Sequence, residues 1–140
     1  MSVSGVRELR QRLPDSEKIT INLGFVDLGQ IDLMVRDGFY ANRTDFIRTA
    51  IRNQLERHAE VLRRSVTHRT LDLGLRHYDR ATLERARDAG APLHINVLGL
   101  ASIARDVSPE LARAAIASIT VLGALQASAE VRAALADRTG

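Results

Sequence analysis

Hydrophobic and polar residues alternate strictly near the start of the chain, over residues 18–23. Three of these six residues are β-branched. A period of two with this composition predicts a β-strand that has one apolar face and one polar face. The apolar face consists of Ile19, Ile21 and Leu23, and the polar face consists of Lys18, Thr20 and Asn22.

Two helices are predicted after this strand. Apolar residues recur at spacings of three and four from about residue 27 to 37, and Gly38 follows, which can adopt the left-handed conformation that ends a helix. Asn42 is a favourable N-cap for a second helix from Arg43 to about Arg64, and Asp45 places a carboxylate in its first turn.

A repeat occupies the remainder of the chain, residues 67–140. The dipeptide Leu-Gly recurs there at intervals of 25 and 24 residues, each time at or after the end of a strand-like run and before a helix-like run. This period predicts three stacked βα units, and we expect the glycines to permit a tight bend after each strand. The strand-like runs are 70–73, 93–98 and 117–122, and the helix-like runs are 81–89, 108–116 and 128–136.

One strand and two helices within about 50 residues bury little apolar surface, and a single strand has two unpaired edges. Two copies of the chain solve both problems if their 18–23 strands pair antiparallel, with the apolar faces towards the helices. The polar faces would then lie together on the outside of a two-stranded ribbon. Such a ribbon fits the major groove of B-form DNA, where Lys, Thr and Asn side chains suit the edges of bases.

The runs EKITINL at 17–23 and VRDGFYANRTDFIRTAIR at 35–52, with the spacing between them, are similar to one known family. They resemble the ribbon-helix-helix regulators, the family of CopG, MetJ and Arc. The resemblance implies that Lys18, Thr20 and Asn22 contact bases. It also implies that backbone amides of Asn42, Arg43 and Thr44 hold a DNA phosphate, a role that suits any helix N-terminus.

Charge and candidate chemistry add little to this interpretation. The net charge is +3, and neither residues 1–66, with 11 basic and 9 acidic side chains, nor residues 67–140, with 9 and 8, form a basic tail. Contact with DNA would therefore depend on local placement of charge. The chain has no cysteine, its four histidines are scattered, and no nucleophile or phosphate-binding motif is present. We therefore expect no metal site, no cofactor and no enzymatic activity.

The sequence predicts an α+β protein with three parts: a flexible basic arm at 1–16, a ribbon-helix-helix module at 17–66 and a βα-repeat module at 67–140. The expected function is a bacterial-type, sequence-specific DNA-binding regulator, most simply a repressor. It would act as a homodimer on double-stranded DNA, and the repeat module would add higher association or sense a ligand. An assembly protein that uses the ribbon only to dimerise, and an antitoxin that holds a toxin, are the alternatives. No apolar run approaches the length of a membrane span, so we expect a cytoplasmic protein with no membrane contact.

Overall fold

The computed structural model describes residues 16–140, which divide into two compact units, 16–65 and 66–140. The predicted arm at 1–16 lies outside the described residues except for Ser16. Helices are present in both units, and the second unit also contains a three-stranded sheet. The fold class is therefore α+β, as predicted.

Three helices follow residue 24: α1 (Phe25–Arg36), α2 (Arg43–Arg57) and α3 (Ala59–His68). Local chemistry explains the turn that joins α1 to α2. Gly38 has a φ of +85°, and its N–H donates to the Val35 carbonyl, while the Phe39 N–H donates to the Met34 carbonyl. These two bonds form a Schellman motif, which satisfies carbonyls at the end of α1. The Asn42 side chain then caps α2 by accepting from the Asp45 N–H at 2.8 Å.

Two expectations for this unit need correction. The second helix does not run unbroken to Arg64, because the backbone at His58 leaves the helical geometry (φ −100°, ψ 10°) and separates α2 from α3. Residues 18–23 are not hydrogen-bonded as a strand within the single chain. A β-strand requires a partner strand, and none lies within residues 16–65.

The second unit contains three parallel strands in the order β1-β2-β3: β1 (Asp72–Tyr78), β2 (Leu93–Ile103) and β3 (Ile116–Gln126). Helices α4 (Arg80–Asp88), α5 (Pro109–Ala115) and α6 (Ala129–Ala134) follow the strands in turn, and a 3₁₀ turn (Ala136–Arg138) comes last. Side chains of Asp79, Ser108 and Ser128 cap the three helices. The three βα units are therefore confirmed, although helix-like runs 108–116 and 128–136 end earlier than predicted.

The core of this unit lies between the sheet and its helices. Parallel strands in sequential order, joined by crossovers of one hand, place all their helices on the same face of the sheet. From Ile95 to Ile103, alternate residues of β2 on the side of these helices are buried except Gly99, and Ile116 and Ile119 of β3 are buried beside them. The largest fully buried side chains are Leu83, Ile95, Val97, Ile116, Ile119, Val131 and Leu135.

The repeated glycines lie inside the strands, so the prediction of a bend after each strand is wrong. Residues 70–71 precede β1, and every strand continues past its Leu-Gly pair. The pairing register places Gly74 beside Gly99 and Gly99 beside Gly123. All three have positive φ (+119°, +140° and +121°), a conformation that L side chains rarely adopt.

Candidate nucleic-acid interface

The extended segment before α1 has two different sides. Ile21 and Leu23 line an apolar cavity of about 460 Å³ together with side chains of α1 and α2, which include Ile31, Phe46 and Ile47. Lys18, Thr20 and Asn22 occupy the alternate positions and are all exposed. Alternate residues of a strand point to opposite sides, so pairing of this segment as a strand would turn the polar set away from the helices.

The unit formed by residues 16–65 has almost no core of its own. Ile31 is its one buried residue. Large apolar side chains remain exposed on the segment and on the helices, with Ile19 72% exposed, Ile21 58%, Ile51 49% and Leu55 54%. An isolated domain rarely leaves so much contiguous apolar surface in water, which marks this surface as an interaction site.

Two hydrogen bonds and a ring contact hold the N-terminus of α2 in place. The Asp45 carboxylate accepts the Ala41 N–H at 2.9 Å, which complements the Asn42 cap described above. The rings of Tyr40 and Phe46 pack edge to face, with centroids 4.9 Å apart. The first N–H groups of a helix have no partner within the helix, so Arg43 and Thr44 present amides at a fixed anion-binding position.

The side chain of Arg43 points to α1 and does not contribute to this anion-binding position. Its guanidinium makes a two-bond ion pair with the Asp32 carboxylate of α1, at 2.7 and 2.8 Å. The hydrogen bond from Arg43 lowers the pKa of Asp32, and the same bond raises the pKa of Arg43. This pair fixes the start of α2 against α1. Sequence reasoning missed it, because the partners are eleven residues apart and lie on different helices.

The six residues predicted to contact DNA thus fall into two sets in this unit. Lys18, Thr20 and Asn22 occupy alternate positions of the segment before α1, and Asn42, Arg43 and Thr44 lie at the N-terminus of α2. The Asn42 side chain is used as a cap, so an anion at this turn would meet backbone amides rather than that side chain or the Arg43 guanidinium.

The histidines do not come together. The His77 ring nitrogen Nδ1 lies 2.9 Å from the Ser102 hydroxyl, and that of His94 lies 2.8 Å from the Ser118 hydroxyl. His77 on β1 lies beside Ser102 of β2, and Ser102 comes eight residues after His94 on the same strand. At the usual rise per residue of a strand, His77 and His94 are therefore about 26 Å apart along the sheet. Within residues 16–140, no group of three or more His, Asp or Glu side chains could hold a metal ion.

Comparison with known proteins matches residues 14–132 to the Ribbon-Helix-Helix transcriptional regulator family. No curated protein and no solved structure matched the chain. Across the described residues, every helix is too short or too polar to span a bilayer. The match covers more than half of the chain and includes both the extended segment and the βα units. The chain therefore belongs to the Ribbon-Helix-Helix transcriptional regulator family and is a DNA-binding regulator.

Proposed function

We propose that this chain is a homodimeric, sequence-specific repressor, in which residues 18–23 of two copies pair as an antiparallel ribbon that enters the major groove of DNA. The single observation that carries this proposal is the two-sided character of the extended segment. Ile21 and Leu23 line the cavity beside α1 and α2, whereas the exposed polar residues Lys18, Thr20 and Asn22 do not line it.

The exposed apolar surface supports dimerisation. Burial of one large aliphatic side chain stabilises an association by about 1.5–3 kcal/mol. Ile19, Ile21, Ile51 and Leu55 are each about half exposed or more in one copy, and a dimer contributes each of them twice. Pairing of the two segments also satisfies the backbone N–H and C=O groups along the ribbon.

The ribbon brings three side chains per copy to the bases. Lys donates to guanine acceptors, Asn pairs with adenine through two hydrogen bonds, and Thr contacts a thymine methyl or donates to an acceptor. A two-fold dimer presents Lys18, Thr20 and Asn22 twice in opposite orientations, so the preferred site is a pseudo-palindrome.

Two phosphates would fix the dimer on its site. Each α2 N-terminus offers the amides of Arg43 and Thr44, and the helix dipole favours an anion at that position. The ion pair between Arg43 and Asp32 holds this turn against α1. Because the Arg43 guanidinium is paired with Asp32, the phosphate would be bound by the backbone amides. A dimer bound in this way blocks other proteins from the same stretch of promoter, so the regulation that we propose is repression.

Selection of bound sequences from random DNA duplexes by the full-length chain tests the proposal. We expect a palindromic motif to be enriched. Asn22→Ala should then weaken binding to that motif by about 5- to 150-fold, which corresponds to the 1–3 kcal/mol of one good base contact. Asn53→Ala changes the same residue type at an exposed position of α2, so it should bind like the unmodified chain.

Each negative result points to a different conclusion. If no motif is enriched, the ribbon serves assembly alone. If a motif is enriched but Asn22→Ala binds it as tightly as Asn53→Ala does, the outer side of the ribbon does not contact bases at that position. If the chain is purified with a bound partner protein and binds the motif only after that partner is removed, the antitoxin alternative gains support over simple repression.

A further inference from the structure

The helices of the βα units cover one face of the sheet, and the opposite face carries an apolar patch between polar rows. Parallel sheets are almost always covered on both faces. Here the open face carries five leucines in two rows, and Leu73, Leu75 and Leu122 are 64%, 62% and 50% exposed. We call this surface the leucine face; it consists of Leu73, Leu98 and Leu122 in one row and Leu75 and Leu100 in the next.

We propose that the leucine face pairs with the leucine face of a second copy of this chain, around a two-fold axis between the two rows. This inference rests in part on the proposed homodimer, which would tether two such faces together. It assigns the repeat module a self-association surface that is separate from the ribbon.

The order of the rows along the sheet suits such a pairing. A polar row, Asn96 with Thr120, precedes the leucines, and another polar row, His77 with Ser102, follows them. Rotation about an axis between the leucine rows places leucines on leucines and polar side chains on polar side chains. A self-complementary surface of this kind is what a two-fold, isologous interface requires.

The absence of charge favours a second copy over a charged partner. None of the residues in these rows is Lys, Arg, Asp or Glu. Two copies therefore meet without like-charge repulsion, whereas a charged partner would find no opposite charge to steer it. In the polar row that follows the leucines, His77 is already hydrogen-bonded to Ser102.

The size of the surface determines how strong the pairing is. Three strands at about 4.8 Å spacing and four rows over about 20 Å give about 280 Å² per copy. A stable interface usually buries about 800 Å² per partner, so the leucine faces alone would bind weakly. Two faces tethered on one ribbon dimer, or on neighbouring dimers along DNA, have an effective concentration near the millimolar range, which favours weak pairing.

Single-cysteine variants of the full-length chain test this inference, because the natural sequence contains no cysteine. Leu98→Cys lies beside the proposed axis, and the control Ala114→Cys lies exposed on α5, on the other side of the sheet. With a short bis-maleimide, we expect the Leu98→Cys chain to form a two-chain product at least ten times faster than the Ala114→Cys chain. Adding Leu75→Glu and Leu122→Glu, both at exposed positions, should abolish this difference while circular dichroism remains unchanged.

Equal rates for the two cysteine positions would overturn the inference, as would crosslinking that survives both glutamates. Sedimentation and a gel shift on the selected DNA separate this failure from that of the proposed function. A dimer that binds DNA but crosslinks equally at both positions refutes the leucine face alone. A monomer that selects no DNA motif refutes the ribbon dimer instead, and fast crosslinking at Leu98→Cys in that monomer would still support pairing through the leucine face.

Discussion

Substitution of Gly99 by alanine provides a sharp test of the sheet geometry. A Cβ at this position would lie 2.2 Å from the Gly74 carbonyl oxygen of β1, whereas ordinary contacts are 3.4 Å or longer. The clash is with backbone, which cannot rotate away as a side chain can. Gly74 supplies a matched control, because its φ is also positive but an added Cβ would meet nothing closer than 3.9 Å.

The two substitutions should differ in cost because they share only one source of strain. An alanine held at strongly positive φ costs about 1–3 kcal/mol, and both variants incur this cost. Gly99→Ala must also move β1 or β2 by about 1 Å, which weakens several ladder hydrogen bonds worth about 0.5–1.5 kcal/mol each. We therefore expect about 1–3 kcal/mol for Gly74→Ala and more than about 4 kcal/mol for Gly99→Ala, close to the whole stability of a unit of this size.

Urea unfolding followed by circular dichroism measures both free energies of unfolding, and hydrogen exchange assigns the loss to residues 66–140. Gly74→Ala should keep a cooperative transition at a lower midpoint. Gly99→Ala should lose protection throughout β1–β3 while residues 16–65 keep theirs. Equal midpoints for the two variants would refute the close backbone approach, and Gly123→Ala, whose Cβ would lie 2.1 Å from the Gly99 carbonyl oxygen, repeats the test on the next strand.

Three further predictions concern the ribbon-helix-helix unit. Asn42→Ala removes the α2 cap and should lower the free energy of unfolding by about 1 kcal/mol in urea titrations, and an unchanged value would mean that the cap contributes nothing. Since Arg43 lowers the pKa of Asp32, the stabilisation from this pair is fully present above the ordinary pKa of an aspartate and is lost as the pH falls through the lowered pKa. Asp32→Asn should therefore flatten the acid side of the stability profile, whereas a profile identical to that of the unmodified chain would count against the pair. A chain that ends at Ser65 should remain a folded dimer that binds DNA, by light scattering and gel shift, and an unfolded product would show that the two units depend on each other.

Local sequence chemistry predicted the turn between α1 and α2 well. Gly38 ends one helix and Asn42 begins the next through bonds among neighbouring residues, so a few residues of sequence contain the whole cause. The Arg43–Asp32 pair and the break at His58 could not be predicted in this way. The first depends on how two helices pack, and no proline or glycine marks the second.

The βα units show a different limit of sequence reasoning. The period of the Leu-Gly pairs predicted the number of units and their order, because a repeat directly reflects stacking of similar elements. It did not predict where the strands end. Glycine is typical of turns, but here three glycines with positive φ lie side by side within the ladder, where a Cβ on Gly99 or Gly123 would meet the carbonyl oxygen of the neighbouring strand. The function of the ribbon residues stays a prediction from the alternation at 18–23 together with the family resemblance.

Residues 138–140 lie along the outer edge of β3. The two edges of the three-stranded sheet therefore differ. Thr139 forms a parallel bridge with Ile119, the Gly140 N–H donates to the Ile119 carbonyl at 3.0 Å, and Arg138 donates to the Ile116 carbonyl at 2.7 Å. Among residues 16–140, no strand pairs with the outer edge of β1. A solenoid needs such a cap to stop it from growing by edge-to-edge addition. Duplication of a βα unit, in evolution or by design, would therefore lengthen this stack ahead of β1, whereas a unit added after β3 would first have to displace the strap formed by residues 138–140.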